Sequence, residues 1–257
     1  MESPATLSGQ PTADRPAAGP ADEQQFLSGP RPRAWEALST VRFFLEFFRG
    51  YRALHFVGPC VTVFGSARFG EGTLYYDMGR SLGRELAKVG FTVMTGGGPG
   101  IMEAANRGAK EARGTSIGCA IALPNEEPHN AYVDRLVRFE HFFVRKVMLV
   151  KYSYAFVALP GGLGTLDEVF EAATLIQTGK IRDFPIVLMG SDYWQPLIDF
   201  MRETQLAAGA IDQRDVDRLI LTDDAAVAAG LIRDAALRTF GLKYIARPKR
   251  RRLLWER

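Results

Sequence analysis

The chain has 257 residues, 47% of them hydrophobic, which is enough for one large α/β domain or two small ones. The formal net charge is only +3 and most of the excess lies in the last eleven residues, so the nearly neutral body argues against a nucleic-acid partner. No N-terminal basic stretch precedes an apolar core, and the apolar segment 43–48 is too short to span a bilayer. We therefore expect a cytoplasmic protein without membrane contact.

The residues that usually bind metals or form disulfides are few. Cys60 and Cys119 each lie in an apolar, strand-like run, which predicts buried reduced thiols and not a disulfide framework. The three histidines have no metal-ligand spacing, so the sequence predicts no metal site.

In chain order, the composition divides the sequence into four parts. Residues 1–30 are rich in Pro, Ala, Gly, Gln and Ser, which predicts disorder. Residues 31–57 repeat apolar side chains at helical spacing, which predicts an N-terminal helix that packs on the main domain or on a partner subunit. Residues 58–241 form the predicted nucleotide-binding catalytic domain, and 242–257 are a basic tail, predicted to be solvated.

Within the predicted domain, short apolar runs alternate with helical stretches. The predicted strands are 60–65, 91–95, 116–122, 154–159 and 185–189, and the predicted helices are 74–89, 100–113, 142–152, 166–177, 193–207 and 224–239. This alternation predicts a single doubly wound, mostly parallel, Rossmann-like α/β sheet with helices on both faces. Three glycine-bearing turns, 65–68, 96–100 and 160–165, then meet at the carboxyl ends of the strands, where such sheets bind ligands.

The most informative turn is Leu-Pro-Gly-Gly-Leu-Gly-Thr-Leu-Asp-Glu at 159–168. Its glycines, Gly161, Gly162 and Gly164, permit a tight turn with uncovered N–H groups before a helix, which is a pattern that binds phosphate. Glu168 then places a carboxylate beside that phosphate. A second interpretation is open at this point, because Thr165 and Glu168 also have the spacing of a helix capping box.

A second glycine turn follows the predicted strand 91–95. Its glycines are Gly96, Gly97, Gly98 and Gly100, and Met102 and Glu103 come next in the predicted helix. The spacing is not that of the dinucleotide fingerprint. With two such turns in one sheet, two helix N-termini can face one anionic group.

Three segments together resemble the LONELY GUY (LOG) family: Gly-Gly-Gly-Pro-Gly-Ile-Met-Glu-Ala-Ala-Asn-Arg-Gly-Ala at 96–109, Arg145 with Lys146, and Pro-Gly-Gly-Leu-Gly-Thr-Leu-Asp-Glu at 160–168. The segment 116–132 is similar to the longer bacterial branch of that family. The resemblance implies hydrolysis of the N-glycosidic bond of AMP or of cytokinin riboside 5′-monophosphates, without a cofactor, by a homo-oligomer that is at least a dimer. The products are an adenine-type base and ribose 5-phosphate.

The resemblance also implies roles for individual residues. Arg145 and Glu168 match the family's catalytic pair. The matches for nucleotide or phosphate binding are Gly96, Gly97, Gly98, Gly100, Met102, Glu103, Lys146, Gly161, Gly162, Gly164 and Thr165. At Glu103 the plant-type enzymes carry a small residue, so this carboxylate puts the preference for a cytokinin base in doubt.

The chemistry favours a carboxylate at Glu168, since breaking a ribosyl C–N bond builds positive charge on the sugar. Its place near a helix N-terminus predicts that it stays ionised, and no residue stands out as the general acid. A non-catalytic nucleotide or molybdenum-cofactor binding or carrier protein of the same fold is the alternative. A pyridoxal-phosphate decarboxylase would need a Schiff-base lysine, and no motif marks one.

Overall fold

One parallel sheet organises the molecule. The computed structural model describes residues 22–123, 129–182 and 184–240. Within these ranges seven strands form one sheet, and every pairing in it is parallel. The strands are β1 Cys60–Phe64, β2 Thr92–Thr95, β3 Ser116–Ile121, β4 Arg135–Phe139, β5 Ser153–Ala158, β6 Ile186–Leu188 and β7 Leu219–Leu221. Their order across the sheet is β4-β3-β2-β1-β5-β6-β7.

Helices cover both faces of this sheet. They are α1 Asp22–Leu27, α2 Arg33–Leu54, α3 Leu74–Lys88, α4 Ile101–Glu111, α5 Phe142–Tyr152, α6 Leu163–Gln177, α7 Ser191–Phe200, α8 Gln213–Asp217 and α9 Ala225–Phe240, with a π-helical turn at Met201–Leu206. Side chains of α3, α4 and α9 bury one face, and those of α5, α6 and α7 bury the other. Of the helices in the described ranges, none is both long and apolar enough to cross a membrane.

The two cores follow from the alternation of side chains along the central strands. In β1, Val61 and Val63 point to the core that α3, α4 and α9 close, whereas Cys60 and Phe64 point to the opposite core. A strand that is apolar on both sides is typical of a parallel sheet covered by helices. Both cysteines are buried and free, as predicted, and burial raises the pKa of the Cys119 thiol to about 12.

The predicted doubly wound Rossmann-like sheet is confirmed, and two of its strands lie outside the predicted set. The first, β4, is an edge strand in which Arg135 and Arg138 are exposed, so it lacks the continuous apolar run of the buried strands. The second, β7, has only three residues. The predicted disorder of 1–30 does not extend over Asp22–Leu27, which form α1. Residues 1–21 and the tail 242–257 lie outside the described ranges.

The order of the strands reverses between β1 and β5, and ligands bind at such reversals. The turns after β1, β2 and β5 meet there and are held together by the backbone of Ser66. The Ser66 N–H donates to the Pro160 carbonyl oxygen at 3.0 Å, and the Ser66 carbonyl oxygen accepts from the Ile101 N–H at 3.1 Å. The predicted convergence of the three glycine turns is therefore confirmed.

Candidate active site

The turn after β5 leads directly into α6, which begins at Leu163, three residues earlier than predicted. The N-cap is Gly162 and no side chain caps the helix, so Thr165 lies inside the first turn and cannot serve as the cap. This geometry excludes the capping-box interpretation of Thr165 and Glu168. A methyl group on Gly161 would collide with the buried Thr165 side chain, whereas nothing in the described protein lies within 4 Å of such a group at Gly162 or Gly164.

Glu168 is buried in the second turn of α6, with 2% of its surface exposed. Its Oε1 lies 3.7 Å from Nη1 of Arg145, and its Oε2 has no hydrogen-bond partner among the described residues. Burial raises the pKa of the Glu168 carboxyl to about 7, against the opposing positive charges of Arg145 and Lys146. The expectation that Glu168 stays fully ionised is therefore wrong. The helix field acts within the first turn, and burial outweighs it at this position.

Arg145, in α5, extends its side chain toward Glu168 in α6. Its Nε donates to the carbonyl oxygen of Cys119 in β3 at 3.0 Å, and this hydrogen bond fixes the guanidinium. A Cβ placed on Gly96 would lie 3.4 Å from Nη2 of Arg145, so the guanidinium also borders the turn after β2. One arginine thus links β3, the second glycine turn and the buried carboxylate.

The glycines of the turn after β2 are closely packed. A Cβ on Gly96 or on Gly98 would lie 2.8 Å from the thioether end of Met102, which is half-buried beneath this turn. Gly97 has φ +80° and Gly100 has φ +67°, which are left-handed conformations that favour glycine. Gly100 is the N-cap of α4, and no side chain caps this helix either.

A buried amide network holds the same turn in place, and the sequence reasoning did not identify it. Asn130 Nδ2 donates to the carbonyl oxygens of Gly97 at 3.1 Å and Gly98 at 2.9 Å. Thr95 Oγ1 accepts from the Gly97 N–H at 2.9 Å and donates to Asn106 Oδ1 at 2.7 Å, which also accepts from Asn130 Nδ2 at 3.0 Å. Two asparagines in segments of different structure gave no motif that could link them.

Two side chains expected to bind nucleotide have other partners in this structure. Lys146 Nζ lies 2.8 Å from Asp167 Oδ1 and 2.7 Å from Glu171 Oε2, so its charge is directed at α6. Glu103 Oε1 accepts from the Tyr76 hydroxyl at 2.8 Å, which contributes to raising the pKa of Tyr76 to about 12, behind burial as the main cause. Neither contact involves the Arg145–Glu168 pair.

Comparison with solved structures places this arrangement on a known fold. The chain aligns with the molybdenum cofactor carrier protein of Chlamydomonas reinhardtii with a TM-score of 0.51 and 28% identity, covering 69% of this chain and 97% of that one. The molybdenum cofactor binding protein of Rippkaea orientalis gives 0.52 at 24% identity, covering 68% and 96%, and shows the fold alone.

Sequence comparisons identify the family. The family described as possible lysine decarboxylase matches residues 102–232. The chain is 31% identical over 178 residues to the cytokinin riboside 5′-monophosphate phosphoribohydrolase of Rhodococcoides fascians, covering 67% of this chain and 88% of that protein. It is also 31% identical over 176 residues to a rice protein of the same name, covering 67% and 71%. A family match over half of the chain, together with the near full-length bacterial relative, shows that this chain belongs to that family, the LONELY GUY (LOG) family to which its motifs pointed.

Proposed function

We propose that this chain hydrolyses the N-glycosidic bond of AMP or of a cytokinin riboside 5′-monophosphate, releasing an adenine-type base and ribose 5-phosphate. The relatives named for this reaction support the proposal. The observation that carries it is the buried Glu168 carboxyl, whose Oε2 has no hydrogen-bond partner among the described residues and whose Oε1 lies next to Arg145. A buried acceptor without a partner is costly to the fold, so a function is the better explanation for it.

Glu168 has the properties of the reacting carboxylate. Positive charge grows on the ribose as the C–N bond breaks, and an ionised carboxylate in a buried site stabilises that charge strongly. A pKa of about 7 lies close to neutral pH, so Glu168 can accept the proton of the attacking water. The water oxygen bonds to the anomeric carbon, and the base leaves with the electron pair of the C–N bond and takes up one proton, which balances the proton that Glu168 accepts. Arg145 keeps part of the Glu168 population ionised.

The two glycine turns are suited to the 5′-phosphate. Both α4 and α6 begin without a side-chain cap, which suits their helix dipoles and first N–H groups to an anion, except that the Ile101 N–H of α4 already donates to the Ser66 carbonyl oxygen. At Gly162 and Gly164 the part of the chain that the structure describes leaves open space within 4 Å of an added Cβ, which lets a phosphate approach the backbone. Phosphate binding remote from the reacting carbon supplies the orientation that speeds the reaction.

The test is release of free base from AMP and from isopentenyladenosine monophosphate by the wild type and by Glu168→Ala. We expect the variant to lose at least about 1,000-fold in kcat while its affinity for AMP changes less than about threefold, since Glu168 acts on the transition state. Asp167→Asn is the matched control, because that neighbouring carboxylate is 53% exposed, and its kcat should stay within about threefold of wild type. The ratio of the two wild-type rates identifies the preferred base.

The pH profile tests the state of Glu168 independently. Because the carboxylate is the reactive form, kcat should fall as the pH decreases through about 7. A flat profile between pH 5.5 and pH 8 would contradict this role for Glu168.

A carrier without catalysis is the second candidate, favoured by the fold and the 28% identity shared with the molybdenum cofactor carrier protein of Chlamydomonas reinhardtii. Carrying a cofactor gives no evident role to the buried Glu168 carboxyl beside Arg145, which is why we rank the carrier second. Folded wild type that binds AMP but releases no base would overturn the hydrolase and leave the carrier. The homo-oligomer and the cytoplasmic location stay predictions.

A further inference from the structure

Helix α5 carries Arg145, and carboxylates from α1 and α2 bond to the backbone N–H groups where the chain enters this helix, an arrangement that we call the α5 cap. Glu46 of α2 accepts from the Glu140 N–H at 2.6 Å and from the His141 N–H at 3.3 Å through its Oε1. Glu23 of α1 accepts from the Phe142 N–H at 2.9 Å. Three successive N–H groups, those of the two residues before α5 and of its first residue, therefore bond to carboxylates more than 90 residues away in sequence.

The Glu46 contact is buried and specific. Glu46 Oε2 lies 2.6 Å from His141 Nδ1, and the side chains are 6% and 4% exposed. The His141 ring also packs edge-on against Phe43 of α2, with ring centroids 4.7 Å apart. A negative charge at a helix N-terminus is favourable, and a buried hydrogen-bonded pair of this kind fixes a helix in both position and direction.

His141 and Arg145 are one turn apart on α5. The Arg145 N–H donates to the His141 carbonyl oxygen at 3.1 Å, so the N-cap and the arginine belong to one rigid turn. Since Arg145 is 3.7 Å from Glu168 Oε1, a small displacement of α5 changes that separation directly. Both capping carboxylates lie before residue 102, where the family match begins.

We propose that Glu46, with Glu23 as a weaker second contact, is a positioning residue that sets Arg145 against Glu168 by capping α5. The inference rests on the proposed function for its kinetic part only. Loss of the cap lets α5 shift, separates Arg145 from Glu168, and makes the carboxylate harder to ionise.

The charged groups around Glu168 predict the direction of the effect. Arg145 and Lys146 favour the ionised form, whereas Asp167 and Glu171 of α6 disfavour it. Lys146 is on the same helix, but its amine bonds to Asp167 and Glu171 and not to Glu168, so Arg145 is the contact through which the cap acts on Glu168. Moving the guanidinium away raises the pKa of Glu168, and the acidic limb of the rate profile moves to higher pH. A variant that is only less stable would lose rate without moving this limb.

The test compares two variants of Glu46. Glu46→Leu keeps the side-chain volume but removes the hydrogen-bond acceptor, whereas Glu46→Gln retains an acceptor oxygen. We expect Glu46→Leu to move the acidic limb upward by about one pH unit and to lower kcat at pH 7 about tenfold, with the KM for AMP within about twofold. Glu46→Gln should restore both values to within about twofold of wild type. Glu36→Ala, an exposed carboxylate on the same helix, is the matched control and should leave the profile unchanged.

A second readout does not depend on turnover. The carboxyl carbon of Glu168, identified in a ¹³C-glutamate spectrum by its loss in Glu168→Gln, reports the pKa of this group directly. A wild type that releases no base overturns the proposed function, while this titration still decides the positioning role. An unchanged Glu168 pKa in folded Glu46→Leu overturns the positioning role whatever the activity. If Glu46→Leu fails to fold, the smaller Glu46→Ala decides, because an upward shift of the Glu168 pKa supports the role and an unchanged pKa overturns it.

Discussion

The glycine turns after β2 and β5 look alike in sequence but differ in what their glycines do. In the turn after β2, added methyl groups would lie 2.8 Å from Met102 at Gly96 and Gly98, and 2.5 Å from the Ser66 carbonyl oxygen at Gly100. In the turn after β5, no atom of the described residues lies within 4 Å of such a methyl group at Gly162 or Gly164.

The two turns therefore contain glycine for different reasons, the packing of the fold in one and ligand binding in the other. The fold itself requires glycine after β2, where two residues also have positive φ. At Gly162 and Gly164 the fold imposes no steric requirement, so the free space and the uncovered N–H groups are available to a bound phosphate. The comparison predicts opposite outcomes for the same chemical change in the two turns.

The largest effect is expected for Gly100→Ala. The new methyl group meets the backbone of Ser66 and Ala67, and φ +67° is unfavourable for alanine. We expect the free energy of unfolding to fall by about 2–4 kcal/mol, because neither backbone segment can move without breaking the link between the turns. Urea denaturation measures this change. An unfolding free energy within 0.5 kcal/mol of wild type, on the order of a neutral surface change, would contradict the packing argument.

A smaller and different effect is expected for Gly164→Ala. This exposed position lies in the first turn of α6, so alanine should leave stability unchanged or raise it by up to about 1 kcal/mol. The methyl group should nevertheless hinder phosphate, raising the Kd for AMP about tenfold, a cost of roughly 1.4 kcal/mol.

The matched control is Gly230→Ala in α9, where again no atom from residues 22–123, 129–182 or 184–240 lies within 4 Å of the new methyl group. It should give the same stability gain and no change in AMP binding. Calorimetric titration of both variants with AMP distinguishes the two cases, and equal affinities would remove the phosphate role from the turn after β5.

The sequence was sufficient for the sheet and for the convergence of the turns because both follow from local patterns. Alternating apolar runs and helices predict a parallel sheet, and glycines at strand ends predict where ligand turns meet. Contacts between distant segments have no such pattern. Glu46 and His141 are 95 residues apart, and nothing in either local sequence indicates that they bond.

The raised pKa of Glu168 was missed for a related reason. Its position near a helix N-terminus is visible in the sequence and favours the ionised form. Its burial, which raises the pKa to about 7, depends on α5 and on the turns packed around it. The three-dimensional environment of a carboxyl decides which effect is larger, and here desolvation is the larger one.

The smallest effect is expected for Lys146→Met, on the same helix as Arg145. The Lys146 amine lies within 2.8 Å of Asp167 and Glu171, so little of its charge is available to a phosphate. We therefore expect the KM for AMP to change less than about threefold, which is the range of a partly exposed ion pair. Lys151→Met, further along α5, is the matched control.

The remaining influence of Lys146 is on Glu168, whose ionised form it stabilises. Its removal should move the acidic limb of the kcat profile slightly upward, in the same direction as loss of the α5 cap but by less, since Arg145 stays in place. An increase in KM of more than about tenfold at constant kcat would show instead that the lysine exchanges its carboxylate partners for the substrate phosphate, giving the turn after β5 a cationic partner from α5.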